Sequence, residues 1–214
     1  MGAPQKIMKV IIFDLDGTLV DAYRAVWLSL NMAFKAVSLP RVSYQVVKKS
    51  VGWGERRLVA KFVPLEKIDK TLKIYRQSHR KALMKGVRFL PGAKKLIGDL
   101  HQKGYKLAIA SNRPTEFCEL ILKILKVRKY FNIVLCADRV KCPKPAGDIL
   151  KEILKRLEAK TSEAIYIGDM AIDVQTGRRA NVKTIAVTTG SSSRSEILKE
   201  KPFQIISNLQ ELSF

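Results

Sequence analysis

The chain has 214 residues, 47 % of them hydrophobic, enough for one large core or a core plus a smaller module. Forty Lys and Arg against nineteen Asp and Glu leave a formal charge of +21, which favours anionic partners and would steer a phosphorylated substrate. No apolar run is long enough to cross a bilayer and no leader-like segment precedes Asp14. Cys118, Cys136 and Cys142 have no CxxC spacing, so a membrane protein and a secreted disulfide scaffold are disfavoured and a cytoplasmic protein is expected.

The first element is the run Val10 to Phe13, which reads as a buried strand. It ends in Asp14-Leu15-Asp16-Gly17-Thr18, at the carboxyl end of a strand where open α/β sheets bind ligands. Asp14 and Asp16 are two positions apart, so continued extended geometry puts both carboxylates on one side. Two such groups repel each other, and a hard divalent cation, Mg²⁺, relieves that conflict. Asp14 suits a nucleophile towards phosphorus and Asp16 an acid/base. Thr18 offers a supporting hydroxyl. An acidic loop or helix cap is the plainer alternative.

Residues 21 to 85 contain no Val/Ile-rich strand run. Helical spacing predicts helices over Tyr23 to Val37, Tyr44 to Lys49, Glu55 to Phe62 and Glu66 to Leu83. This stretch reads as a helical lid inserted after the first strand, able to close over the carboxylates. Gly52-Trp53-Gly54 reads as a mobile loop. Arg24, Trp53, Arg56 and Arg57 are its candidate substrate contacts, with solvated arginines and a packed Trp53 as the alternative. His79 is expected on the lid surface or packed within it, and His79 and His101 lie too far apart in the chain for a His-rich zinc site.

After Pro91-Gly92 a helix is expected over Ala93 to Gln102, and from there strands and helices alternate. Strands are expected at Tyr105 to Ala110, Ile133 to Ala137, Ala164 to Ile167, Thr184 to Val187 and Phe203 to Ile206, with helices over Pro114 to Lys126, Ala146 to Leu157 and Ala171 to Ala180. The strand ends again carry chemistry. Ser111 and Asn112 follow the second strand of the core, where a hydroxyl and a helix start can hold a phosphoryl oxygen; a cap before Pro114 is the competing reading. Arg113 is a candidate substrate contact, with a surface position as the alternative. Lys144 stands in a proline-framed loop, where a fixed ammonium offsets negative charge. Asp169 ends the next strand as a metal ligand, and Asp173, one turn on, can orient metal-bound water or Lys144. Asp16, Ser111, Lys144 and Asp169 would then meet at one sheet edge.

These motifs, in this order, resemble those of the haloacid-dehalogenase-like phosphohydrolases over nearly the whole chain. Asp14-Leu15-Asp16-Gly17-Thr18 is similar to the first family motif, Ser111 to the second, Lys144-Pro145 to the third, and Gly168-Asp169 with Asp173 to the fourth. The resemblance implies an α/β fold: a Rossmann-like three-layer parallel-sheet core over 1–20 and 86–214 with an all-helical cap over 21–85. It implies a Mg²⁺ held by Asp14, Asp169 and the backbone carbonyl of Asp16, and a phosphate monoester hydrolysed through an aspartyl-phosphate. The tract from Ile167 to Gly190 looks most like the phosphoglycolate phosphatases, which makes 2-phosphoglycolate one candidate substrate. Their phosphomutase and pyrophosphatase relatives are the alternatives within the family. Gly147 and Asn181 stand where those relatives often carry Pro and Gly. The +21 charge supports a different reading, a nucleic-acid-associated phosphatase or binding protein on the same fold. A monomer or homodimer is expected.

Overall fold

In the computed structural model the described residues are 8–214; residues 1–7, the start of the segment expected in the core, lie outside them. The chain runs β1 (Val10–Phe13), β2 (Val20–Asp21), α1 (Tyr23–Ala36), α2 (Tyr44–Lys48), α3 (Glu55–Ala60), α4 (Ile68–Gly86) and β3 (Arg88–Phe89). It continues α5 (Ala93–Gln102), β4 (Lys106–Ser111), α6 (Thr115–Ile124), β5 (Ile133–Cys136), α7 (Asp148–Arg156), β6 (Ala164–Gly168), α8 (Ala171–Ala180), β7 (Lys183–Val187), α9 (Arg194–Lys199) and β8 (Gln204–Ile206). Among these residues no helix is long and apolar enough to cross a membrane.

β1 is apolar at every position because it is covered on both faces, as parallel sheets require. Six strands form one parallel sheet in the order β5-β4-β1-β6-β7-β8. Ile11 and Phe13 face a core shared with Leu96, Ile97 and Leu100 of α5 and Phe117 and Ile121 of α6. Val10 and Ile12 face the opposite core with Ile149, Leu150 and Ile153 of α7. The three-layer α/β architecture follows from this alternation. After β1 the chain builds outward through β4 and β5, then returns to the other side of β1 with β6. The strand order therefore reverses at β1, and a crevice opens there at the carboxyl ends.

The helices α1 to α4 are inserted between β2 and β3 and have their own apolar core of Val26, Leu30, Phe34, Leu58, Val59, Leu72 and Tyr75, among others. A two-stranded antiparallel ribbon, Val20 with Phe89 and Asp21 with Arg88, ties the entry to the exit. That ribbon was not expected: its strands are two residues each, too short for any period to show. The short helix α9 was also unexpected, although Ser193 and Glu196 form a capping box at its start. The last cap helix begins at Ile68 rather than Glu66, because Leu65–Lys67 is a separate 3-10 turn.

Candidate active site

Four strand ends deliver the side chains. The backbone N–H of Asp14 donates to the Ile167 carbonyl at 2.8 Å, which locks the first carboxylate beside β6. Lys144 Nζ donates to Asp14 Oδ1 at 2.7 Å, to Asp173 Oδ1 at 2.8 Å and to the Tyr166 hydroxyl at 3.1 Å. All four groups are buried. Burial works against the Lys144 ammonium, but Asp14 and Asp173 outweigh it and hold its pKa well above that of an ordinary lysine. Burial, the largest influence, also lifts the Asp14 carboxyl to about 6 against the pull of Lys144, with Asp173 and Asp16 adding repulsion.

Asn112 sets the Lys144 loop. Its Oδ1 accepts the Lys144 N–H at 2.9 Å and its Nδ2 donates to the Lys144 carbonyl at 3.0 Å. The same Nδ2 reaches the cap, donating to the Gly52 carbonyl at 2.9 Å. Asp173 accepts from Lys144, from the Tyr166 hydroxyl at 2.7 Å and from the Met170 N–H at 2.9 Å, so it acts as the orienting carboxylate of the cluster. Ser111 Oγ accepts the Arg113 N–H at 3.2 Å, which leaves its own proton to donate.

Asp169 is fully buried, and its partners are neutral: the Thr18 hydroxyl at 3.2 Å, the Tyr23 hydroxyl at 3.4 Å and the Ser191 N–H at 3.0 Å. Among the described residues no cationic side chain forms an ion pair with it. Burial first, then repulsion by Asp14 and Asp173, pushes its carboxyl well above the usual range. Asp14, Asp169 and Asp173 each offer an oxygen within 4.8 Å of the others. A crowded, under-neutralised set of hard oxygens fits a divalent cation such as Mg²⁺. Gly190 makes this packing possible, since a Cβ there would run into the Asp169 carboxylate.

Arg113 is buried. Its Nε and one terminal nitrogen donate to the two Asp16 carboxylate oxygens at 2.7 and 2.8 Å, a bidentate pair. Its other terminal nitrogen meets His79 Nε2, from cap helix α4, at 2.5 Å. Ser29 Oγ donates to the Ala25 carbonyl at 2.6 Å, so His79 Nδ1, 3.2 Å from Ser29, carries the ring proton and Nε2 accepts from Arg113. The ring stacks on Tyr75 with centroids 5.0 Å apart and is neutral, because burial and then Arg113 press its pKa down to about 2.

The folded state thus refuses a proton that the unfolded chain takes up below about pH 6.5, so stability is lost as pH falls. Between pH 7 and pH 5 the wild type is expected to lose about 2 kcal/mol more than His79→Gln, which keeps an amide between Ser29 and Arg113. Urea titrations of both proteins at the two pH values check this, and parallel losses would contradict a neutral His79.

A cavity of about 640 Å³, counting its open mouth, lies between core and cap. Asp14, Asp16, Ser111, Asn112, Arg113 and Lys144 line it from the core, and Tyr23, Val26, Val51, Gly54, Glu55, Leu58 and Tyr75 from the cap side. The structure does not bring Arg24, Trp53 and Arg56 to it. Arg24 is exposed. Trp53 is 36 % exposed beneath the Arg57 guanidinium, and Arg56 pairs with Asp69 at the surface. The reason is helical phase: in α3 Leu58 and Val59 turn inward, which carries Arg56 and Arg57 outward.

Sequence reasoning missed Tyr23, Glu55, Tyr75, His79, Tyr166 and Ser191. Two of these left a signal. A phenol in the middle of the buried β6 needs a polar partner, and the Gly190-Ser191 turn follows a strand just as the four named motifs do.

The family model for haloacid dehalogenase-like hydrolases matches residues 11–187, a span that takes in Asp14, Asp16, Ser111, Lys144 and Asp169. The chain belongs to the haloacid dehalogenase-like hydrolases. Among curated proteins, it is 30 % identical over 183 residues to a phosphoglycolate phosphatase of Aquifex aeolicus, covering 86 % of each chain. It is 26 % identical over 216 residues to one of Pseudomonas fluorescens, covering 97 % of this chain and 79 % of that one. A crystal structure of a predicted phosphoglycolate phosphatase from Haemophilus somnus 129pt superposes with a TM-score of 0.89 at 24 % identity, over 96 % of both chains. CbbY from Rhodobacter sphaeroides, solved in complex with phosphate, superposes with a TM-score of 0.83 at 20 % identity, over 97 % of both. These two superpositions establish the shared fold of this haloacid dehalogenase-like hydrolase. It is an enzyme of the phosphatase type.

Proposed function

We propose that the protein is a Mg²⁺-dependent phosphatase that hydrolyses a small phosphate monoester through an aspartyl-phosphate on Asp14. The observation that carries this reading is the buried Asp14 lining the core–cap cavity beside Asp16, Ser111 and Lys144. One Asp14 oxygen attacks phosphorus while the bond from phosphorus to the alcohol oxygen breaks, and Asp16 gives that oxygen a proton. Asp16 then takes a proton from water as the water oxygen attacks phosphorus, and the bond to Asp14 breaks to release phosphate. Since both Asp16 oxygens are held by Arg113, one of those bonds opens for the proton to pass. Ser111 and the Lys144 ammonium bind the phosphoryl oxygens; Asp173, Tyr166 and Asn112 hold Lys144 in place.

Asp14, Asp169 and the Asp16 backbone carbonyl would hold the metal, supported by Thr18. Bound Mg²⁺ offsets the carboxylate charge and polarises a phosphoryl oxygen. The helical stretch 21–85 serves as a lid over the site. The free thiols Cys118, Cys136 and Cys142 suit a reducing cytoplasm.

Phosphate release from p-nitrophenyl phosphate and a panel of metabolite monoesters, with Mg²⁺ and with EDTA, tests the reading. Chelation is expected to lower turnover at least about a hundredfold. Metal and proton compete for Asp14, whose carboxyl titrates at about 6. Mg²⁺ should therefore raise the melting temperature at pH 7.5 and much less at pH 5. Equal turnover with EDTA would refute the metal requirement.

A further inference from the structure

Both cations that line the cavity are committed to the reaction centre. Lys144 is shared between Asp14 and Asp173, and Arg113 is bound to Asp16 and His79. The cap contributes a different chemistry to the lining: an acid, Glu55, and two phenols, Tyr23 and Tyr75, among Val26, Val51 and Leu58. The Glu55 side chain is only 9 % exposed. Its Oε1 accepts from Arg76 Nε at 2.6 Å, whereas its Oε2 is buried with no hydrogen-bond partner. A buried carboxylate oxygen without a donor is costly, and such an exception in a folded protein calls for a reason. Glu55 lines the substrate cavity, so a turn of its side chain would offer this covered oxygen to a donor that arrives with the ligand. Burial, the largest influence, raises the Glu55 carboxyl while Arg76 holds it down, as expected of an acid that is half partnered.

We infer that Glu55 selects the substrate by accepting a hydrogen bond from an O–H or N–H of the leaving alcohol. The enzyme then prefers phosphate monoesters with a hydroxylated or aminated leaving group over those that carry a second anion. This rests on the phosphatase reading and narrows it. 2-Phosphoglycolate, the substrate in the relatives' names, falls in the disfavoured class, because its carboxylate would meet Glu55 and no uncommitted cation lines the cavity among the described residues. A site built to pair a polar group discriminates strongly against a ligand that leaves it unpaired.

The test compares kcat/KM for glycerol 1-phosphate, O-phosphoethanolamine, 2-phosphoglycolate and p-nitrophenyl phosphate in wild type, Glu55→Gln and Glu55→Ala. Ratios between substrates within one preparation do not depend on the folded fraction. The wild type is expected to favour glycerol 1-phosphate or O-phosphoethanolamine over 2-phosphoglycolate by about a hundredfold. The better of the two shows whether a hydroxyl or an ammonium is read. Glu55→Gln keeps an acceptor and removes the charge, so the preference should shrink at least about tenfold, and Glu55→Ala should nearly erase it. A wild type that prefers 2-phosphoglycolate, or ratios unmoved by either substitution, overturns the inference and leaves the phosphatase standing. A wild type inert on all four esters, p-nitrophenyl phosphate included, overturns the phosphatase reading itself.

Discussion

Asp14→Asn is expected to lower turnover of phosphate monoesters by at least about 10⁴-fold, the scale of loss when an enzyme is deprived of its nucleophile. The amide matches the carboxylate in shape, and the site is 6 % exposed, so packing is unchanged. Its oxygen still accepts from Lys144, and Lys144 keeps Asp173. Without metal, the variant should melt no lower than the wild type and is expected to melt higher. Asp14, lifted to about 6, is a carboxylate whose charge the fold opposes, and it raises the Asp169 carboxyl as well. Deleting that charge relieves the repulsion, most visibly above pH 6, where Asp14 is ionised. Single-turnover phosphate release paired with thermal melts in EDTA checks both halves. Activity within tenfold of wild type would remove Asp14 from the role of nucleophile, and a collapsed melt would show that the variant cannot decide the matter.

Lys144→Met is expected to be the most destabilising single change at the site. Removing one partner of a buried ion pair costs about 3–5 kcal/mol, because the charge left behind has no compensation. Here two carboxylates, Asp14 and Asp173, lose their shared ammonium, and the Tyr166 hydroxyl loses a donor. The Asp14 carboxyl, already lifted to about 6, then rises further, the folded state binds more protons than the unfolded chain, and the deficit grows as pH rises through that window. Urea unfolding of wild type and variant at pH 5 and pH 8 should therefore show the larger gap at pH 8. A gap of equal size at both pH values would mean that the lysine stabilises through its aliphatic stem. Turnover should also fall by about 10³-fold, since the other cationic side chain that lines the cavity among the described residues, Arg113, is paired with Asp16.

The two variants read different properties of one cluster. Asp14 contributes reactivity and costs stability, whereas Lys144 contributes both. Their opposite effects on melting come from the sign of the charge deleted in a buried group that already has more carboxylates than cations.

How much of this was legible in the chain depends on the length scale of each signal. The parallel sheet was, because strands covered on both faces are written as unbroken apolar runs and the helices between them keep their period. So were Asp14, Ser111 and Asp169, since each stands at the end of such a run, and Lys144, since it stands in the proline-framed loop beyond one; a parallel sheet gathers strand ends along one edge. The cap arginines were misplaced for the converse reason. Arg56 has no marker beyond its charge, and a shift of one position on a short helix decides whether a side chain enters a cavity or faces solvent. The β2–β3 ribbon was too short to carry a pattern at all.

Local order along the chain, then, specified the architecture and the chemistry at its strand ends, because periodicity and motif spacing depend only on near neighbours. Packing alone settled who meets whom: Arg113 with Asp16 and His79, Lys144 with Asp14 and Asp173, Glu55 with an oxygen left bare. Those contacts join residues far apart in the chain, such as Lys144 and Asp14, 130 positions apart. No pattern local to either partner encodes the distance between them.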